Sequence, residues 1–368
     1  MEKERVAVAM SGGVDSSVAA ALLLERGDRP FGLTMDLGSA PESRSEGGET
    51  RRRTDREAVE DAARVAAGLG IPFHVVDLRR EFEKRIVKDF CREYVKGRTP
   101  NPCIRCNARI KFDLLAEAAR RFGAKGLATG HHARLERDSA SGRWLLRQGR
   151  DLRKDQSYFL YALTQRQLSF ARFPVGDLTK DEVRSLAARL SLPTAEKPES
   201  QEICFIPGRD YARFLKDRIP GAEKPGPILD PSGRVIGRHR GIIHFTLGQR
   251  RGLGIASPRP LYVLGIDAER NAVVAGLEKA LYGKTFTVAG VNWVSAARLL
   301  GPVSLTVKIR SRQKGSKAVI EAVGRRRCRV TFSTPQRAIT PGQSAVFYDR
   351  DLVIGGGVID APVFPLRS

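Results

Sequence analysis

Everything else in this chain has to fit around the run Ala9-Met10-Ser11-Gly12-Gly13-Val14-Asp15-Ser16-Ser17. It joins an apolar run from Arg5 to Ala9, which reads as a buried parallel strand, to the helical Val18-Ala19-Ala20-Ala21-Leu22-Leu23-Leu24. A strand that turns through paired glycines into a helix makes an anion cradle. Backbone N–H groups converge there, no side chain intrudes, and the helix presents its positive end. Ser11, Ser16 and Ser17 add hydroxyl donors. The plainer reading is a tight turn whose Ser and Asp residues cap the helix. The coincidence of turn, hydroxyls and helix start at the end of the first strand favours the cradle. The run lacks the lysine of a GxxxxGK[ST] loop, so no neighbouring residue is available to hold a terminal phosphate.

The rest of the first half alternates strand and helix. Phe31 to Leu37 and Pro72 to Leu78 read as strands, and Ala58, Ala62, Val65, Ala66 and Leu69 mark one face of a helix. Phe82, Ile86, Phe90 and Tyr94 follow at helical spacing. The two prolines of Thr99-Pro100-Asn101-Pro102 predict an extended approach to a helix over 108–122. Leu127 to His132 is a further strand, 133–149 a hairpin, Lys154-Asp155-Gln156-Ser157 the start of a helical stretch, and Thr179 to Glu182 a capping box. This alternation predicts an α/β domain with a doubly wound parallel sheet, which places ligands at the carboxyl ends of its strands. Ser39 to Arg53 is polar and reads as a loop beside the phosphate site, either a lid or disordered. The second half changes character: one helix, Tyr211 to Ile219, a Gly/Pro-rich stretch, then only short strands from Leu261 onward, as in a small barrel or sandwich. The expected divisions are 1–207, a small central module over 208–260, and an all-β barrel over 261–368.

Composition narrows the class of partner. The 368 residues carry 64 Lys and Arg against 41 Asp and Glu, a formal net charge of +23. That excess is either a compositional habit or the mark of a polyanionic partner, most often nucleic acid. No run of about 18 apolar residues suggests a membrane span. The start of the chain leads straight into a strand and does not read as a signal peptide. Five cysteines point to a reducing cytoplasm.

Two of those cysteines form the C-x-x-C pair Cys103 and Cys106, with no second pair to complete a zinc ribbon. Arg105, Arg109 and Lys111, together with a helix start expected just after Cys106, favour a thiolate there. Cys204, between Ile203 and Phe205, reads on its own as a buried core thiol, and Cys328 as structural.

The loop resembles the PP-loop of ATP pyrophosphatases. The further segments Asn101-Pro102-x-x-x-Cys106-Asn107, Ala128-Thr129-Gly130-His131, Lys154-Asp155-Gln156-Ser157-Tyr158, Ser200-Gln201-Glu202-Ile203-Cys204-Phe205-Ile206, Leu247 to Gly254 and Pro341 to Tyr348 occur in order with it. Together they resemble the bacterial tRNA-specific 2-thiouridylase family (MnmA) over nearly the whole chain. The resemblance implies a cytoplasmic sulfurtransferase acting on the wobble uridine, position 34, of the tRNAs for Lys, Glu and Gln. ATP adenylates the C2 oxygen, and a cysteine persulfide then replaces AMP with sulfur. It implies that Ala9, Met10, Ser11, Gly12, Gly13, Val14, Asp15, Ser16, Met35 and Gly130 bind ATP, with Asp15 beside Mg²⁺. Cys106 is then the nucleophile, and Cys204 carries the persulfide and can form a disulfide with Cys106. Asn101, Pro102 and Cys103 would contact the target base. His131, Lys154, Asp155, Gln156, Arg310, Ser311 and Gln343 would contact tRNA. A cysteine desulfurase or sulfur-relay protein is the implied donor.

Two positions depart from the family pattern. Cys103 stands where many members have Asp, and Ser311 where Tyr is usual. With Cys103, Cys106 and Cys204 the chain has three candidate ligands for a [4Fe–4S] cluster whose open iron would carry sulfur; the alternative is a pair of simple thiols. Competing classes are a PP-loop ligase or amidotransferase related to argininosuccinate or GMP synthetase, which would not need the cysteines, and a basic tRNA-binding protein with a regulatory ATP site.

Overall fold

The computed structural model describes residues 3–38, 55–198, 203–206, 208 and 210–360, so the polar stretch 39–53 lies outside the described residues. They form two compact units, Met1–Ile86 with Cys103–Arg209 and Asp351–Val353, and Val87–Pro102 with Asp210–Arg350 and Ile354–Ser368.

In the first unit the strands are β1 (Arg5–Ala9), β2 (Arg29–Asp36), β3 (Phe73–Asp77), β4 (Gly126–Ala128), β5 (Ala133–Arg137), β6 (Trp144–Gln148) and β7 (Ala171–Arg172). Five of them make a sheet in the order β3-β2-β1-β4-β7 with every pairing parallel. Val6 and Val8 face helices α1 (Val14–Glu25) and α2 (Asp55–Gly68), packing with Ala20, Leu23, Ala62 and Val65. Phe31, in register with Ala7, meets Phe122 on the other side at 6.1 Å between ring centroids. Apolar residues on both faces of β1 thus produce the doubly wound sheet. Strands β5 and β6 form the expected hairpin, and its Arg134 and Arg147 both bind Asp351, at 2.7 and 2.8 Å.

Two local expectations change. The helix expected to begin at 108 starts at Pro102, runs as Pro102–Cys106, continues through a π-helical stretch Asn107–Leu115, and ends as Ala116–Arg121. Proline at a first helical position loses no hydrogen bond and has its φ preset, so Asn101-Pro102 opens the helix rather than extending the chain. The helical stretch expected from Lys154 is a single turn, Ser157–Phe159. The Asp155 carboxylate accepts from the Ser157 N–H and hydroxyl, each at 3.0 Å, closing a local turn that competes with a helix.

In the second unit the helix Lys88–Val95 packs through Phe90 and Tyr94 on Phe214 and Tyr211 of the helix Tyr211–Arg218, at 6.2 and 5.3 Å. Strands β8 (Gly226–Leu229), β9 (Val235–His239), β10 (Leu261–Asp267) and β11 (Ala272–Leu277) form a sheet in the order β10-β11-β8-β9. The two strands expected to open the barrel therefore join the central segment, because Val263, Val273 and Ala275 fill the same core as Ile228, Ile242 and Phe245. The barrel itself comprises β12 (Tyr282–Trp293), β13 (Val303–Lys308), β14 (Ser316–Gly324), β15 (Arg327–Arg337), β16 (Ser344–Asp349) and β17 (Leu352–Ile359). Its order is β12-β15-β14-β13-β16-β17, and β17 pairs back with β12 to close it. Along β15, Cys328, Val330 and Phe332 point into the barrel core while Arg327, Arg329 and Thr331 are exposed. Cys328 is the structural thiol its flanking pattern predicts.

Candidate active site

The turn after β1 has the geometry of an anion cradle. Gly12 has a φ of +61°, a conformation a side chain would oppose. Ser16 Oγ and Ser17 Oγ donate to the Gly13 carbonyl at 3.1 and 2.9 Å, and Ser11 N–H donates to Ser16 Oγ at 3.2 Å. The hydroxyls thus shape the loop. Helix α1 begins after Gly13, which has no side chain to cap it, and among the described residues no side-chain cap is made there, contrary to the capping alternative. Thr34 Oγ1 holds the Met10 carbonyl at 2.8 Å, fixing the end of β1 to β2, where Met35 is half-buried. Gly130 closes against the cradle: a Cβ there would lie 2.6 Å from the Asp15 carbonyl carbon and the Ser16 nitrogen.

Asp15 is the second residue of α1, and its Oδ1 takes two partners. Lys180 Nζ lies at 2.6 Å and His132 Nε2 at 3.3 Å. Burial alone would raise the Asp15 pKa, but the hydrogen bonds and charges of His132 and Lys180 prevail and hold it below the ordinary carboxylate value. Gln156 clamps His132 from behind: its N–H donates to the His132 carbonyl and its Oε1 accepts from the His132 N–H, both at 2.9 Å. Neither His132 nor Lys180 was among the expected site residues. Both stand more than a hundred positions from Asp15, where no local motif links them.

The neighbouring residue turns to a different cluster. His131 is 8% exposed, its Nδ1 is 2.7 Å from Thr129 Oγ1, and its ring sits between Phe112 and Phe173 at 6.0 and 5.9 Å. Burial, with the nearby Lys111 charge and His132, keeps its pKa well below the imidazole value, so the ring is neutral. The same Lys111 acts on Cys103 and Cys106. Cys106 does not become the low-pKa thiol expected from its basic neighbours. Burial pushes it up to about 11, against the opposing pull of Lys111. The helix start expected just after it lies four residues earlier instead, so Cys106 is the fifth residue of its helix. Burial raises Cys103 as well. Asn107 anchors this helix through Nδ2 to the Phe159 carbonyl at 3.1 Å.

Cys204 is exposed rather than buried. Its turn is attached through Phe205, which meets Phe82 edge-on at 5.6 Å, while the preceding Glu199 to Glu202 lie outside the described residues. Among the described residues no three His, Cys, Asp or Glu side chains gather closely enough to hold a metal ion. As placed, Cys103, Cys106 and Cys204 do not fit a shared iron–sulfur cluster. Asp15 fits a looser Mg²⁺ site, because that ion needs only one or two carboxylates beside phosphate oxygens and water.

The remaining expected contacts are engaged in the fold. Asp155 accepts from Gln148, Gly149 and Ser157, at 2.8 to 3.2 Å. In the second unit Gln343 Nε2 donates to the Thr99 carbonyl at 2.8 Å, two residues before Asn101, and Arg310 donates to the Ala338 carbonyl at 2.7 Å. Lys154 and Ser311 are half-buried in turns.

Three family models cover the chain: a tRNA methyl transferase HUP domain over residues 4–208, a tRNA methyl transferase PRC-barrel domain over 212–276, and an aminomethyltransferase beta-barrel domain over 283–359. The tRNA-specific 2-thiouridylase MnmA 2 of Thermoanaerobacter sp. (strain X514) is 49% identical over 356 residues, 97% of this chain and 98% of that protein. The tRNA-specific 2-thiouridylase MnmA of Heliobacterium modesticaldum is 50% identical over 361 residues, covering 97% and 92%, and that of Geobacter metallireducens is 48% identical over 360, covering 98% and 97%. Among solved structures, NMN synthetase from Francisella tularensis aligns with a TM-score of 0.34 at 18% identity, covering 54% of this chain and 66% of that one. Identity near one half along essentially the whole sequence leaves one assignment: the chain belongs to the tRNA-specific 2-thiouridylase MnmA family.

Proposed function

We propose that this protein thiolates the wobble uridine, position 34, of tRNA to 2-thiouridine at the expense of ATP. The observation that carries this reading is the meeting of two chemistries at consecutive residues: His132 serves the phosphate cradle through Asp15, and His131 shares Lys111 with the Cys103–Cys106 pair. The C2 oxygen of uracil is a poor leaving group. Attack of that oxygen on the α-phosphorus of ATP expels pyrophosphate and turns it into a good one. The terminal sulfur of a Cys204 persulfide then bonds to C2 and AMP leaves. Cys106, as thiolate, attacks the Cys204 sulfur; the S–S bond to the base breaks, 2-thiouridine departs, and a Cys106–Cys204 disulfide remains for a reductant to reopen. The exposed turn of Cys204 suits loading by a protein sulfur donor of the desulfurase or relay class. Transfer requires this turn to approach Cys106. Bound Mg²⁺ would supply charge neutralisation at the phosphates beside Asp15. Asn101, Pro102 and Cys103, at the opening of the Cys106 helix, are the proposed contacts of the splayed base. His131 and the 154–156 turn shape the pocket from within, and Arg310, Ser311 and Gln343 line the proposed tRNA surface of the second unit.

An assay with ATP, a tRNA transcript and a sulfide source, scored by mass spectrometry of the nucleosides, tests this. The wild type yields 2-thiouridine and AMP. Cys204→Ser forms AMP but no thiolated base when sulfur is delivered by a protein donor. A ligase would survive substitution of Cys106 and Cys204, and that outcome would overturn the reading.

A further inference from the structure

The phosphate loop has no lysine of its own, yet the fold brings one to it from 165 positions away. We infer that Lys180 is the phosphate-binding cation of this site: its ammonium holds the β-phosphate of ATP and the departing pyrophosphate, and Asp15 parks it when no nucleotide is bound. This rests on the adenylation step proposed above.

Lys180 is 5% exposed, and a lysine is almost never that buried unless it is paired; its ammonium pairs with Asp15 of the phosphate loop. Its backbone is fixed from two directions. Thr179 and Glu182 close a capping box around the start of the helix Lys180–Arg189, and the Lys180 N–H donates to Asp151 Oδ2 at 3.2 Å. That helix packs on α1 through Val183 and Ala187, which meet Val14, Val18 and Ala19. The aliphatic stem therefore leaves an anchored point and delivers Nζ to within 2.6 Å of the second residue of α1. There the ammonium stands beside the uncapped first turn that forms the cradle.

A purely structural ion pair accounts for less of this arrangement. Buried pairs seldom stabilise a fold more than apolar residues of the same size would. Asp15 Oδ1 already accommodates His132, which is 2% exposed and whose Nδ1 is buried with no partner among the described residues. One carboxylate thus faces an ammonium, an imidazole with an open nitrogen and the positive end of a helix. That balance suits an incoming polyanion. As the bond between the α-phosphorus and the bridging oxygen breaks, its electron pair stays on pyrophosphate. The Lys180 side chain, beside the departing group, neutralises the growing charge.

The test compares Lys180→Met, which keeps most of the stem, with Lys180→Arg, using inorganic pyrophosphate, AMP and ATP as probes on the full-length protein. Lys180→Met is expected to weaken pyrophosphate binding by about tenfold or more, to leave AMP binding within about twofold, and to slow tRNA-dependent AMP release by about 10²-fold, as loss of a charged transition-state donor does. Lys180→Arg should recover part of both losses. Unchanged pyrophosphate affinity and turnover in Lys180→Met would overturn the assignment. So would parallel loss of AMP and pyrophosphate binding, which marks a structural strut. If the wild type releases no AMP in the presence of tRNA, the adenylation step fails instead, and the pyrophosphate measurements still decide the role of Lys180.

Discussion

Cys106, the proposed nucleophile, is a thiol that burial holds mainly in its protonated form, so the attacking thiolate of the proposed mechanism is its minor species at neutral pH. With its pKa pushed up to about 11, alkylation by iodoacetamide should be slow at neutral pH and accelerate up to and beyond pH 9, whereas exposed Cys204 reacts first. Lys111→Met removes the one charge pulling the Cys106 pKa down, so it should slow this alkylation further. Faster modification of Cys106 in that variant would show that the lysine plays no such part. Stability carries the same signature. Unfolded thiols titrate near 9.0, while the folded Cys106 and Cys328 values lie at about 11 and about 12. Between these limits the native state keeps protons that the unfolded chain has released, so stability falls as the pH rises above 9. Cys328→Ala should flatten that alkaline slope in melts recorded from pH 8 to 11, although the lost sulfur costs about 1–2 kcal/mol at neutral pH. The basic neighbours of Cys106 were legible in the sequence, but its pKa was not. Ile104, Ile110 and Phe112, close to it along the chain, are buried, and desolvation outweighs the charges that the sequence displays.

At the scale of elements, the join between β4 and α1 leaves no room for a side chain. Gly130→Ala forces a Cβ to within 2.6 Å of the α1 backbone. This should cost about 1–3 kcal/mol of stability. Because Asp15 moves with the helix, it should also weaken ATP binding, measured by titration calorimetry. Thr179→Ala removes the cap in front of Lys180 and should cost about 1 kcal/mol in denaturant unfolding. A smaller effect of Thr179→Val would point to the side chain's packing instead. Most elements were legible because local patterns specify them: the Thr179 box, the alternation of Cys328, Val330 and Phe332, and the paired glycines after β1. The failures came where a side chain overrides its surroundings. Pro102 opens a helix that its partner Pro100 seemed to forbid, and Asp155 bends a stretch with helical composition into a turn. The partnership of Lys180 with Asp15 had no local signal, since it exists only once two distant helices pack.

Over the whole molecule the formal charge of +23 sets the terms of RNA binding. A protein making 6–10 phosphate contacts loses about 10³–10⁵ in affinity between 50 and 200 mM salt. We expect tRNA binding, followed by filter retention, to decline on that scale. A change of less than about tenfold would mean that the basic surface is a habit of composition. His132, which bonds Asp15 beside the phosphate loop, and His131, whose ring lies between Phe112 and Phe173, are joined by a single peptide bond. A substitution that re-aims one of these rings is expected to shift the other through that bond. In the proposed mechanism the ATP side of the site and the pocket for the base would therefore turn on one mechanical fulcrum.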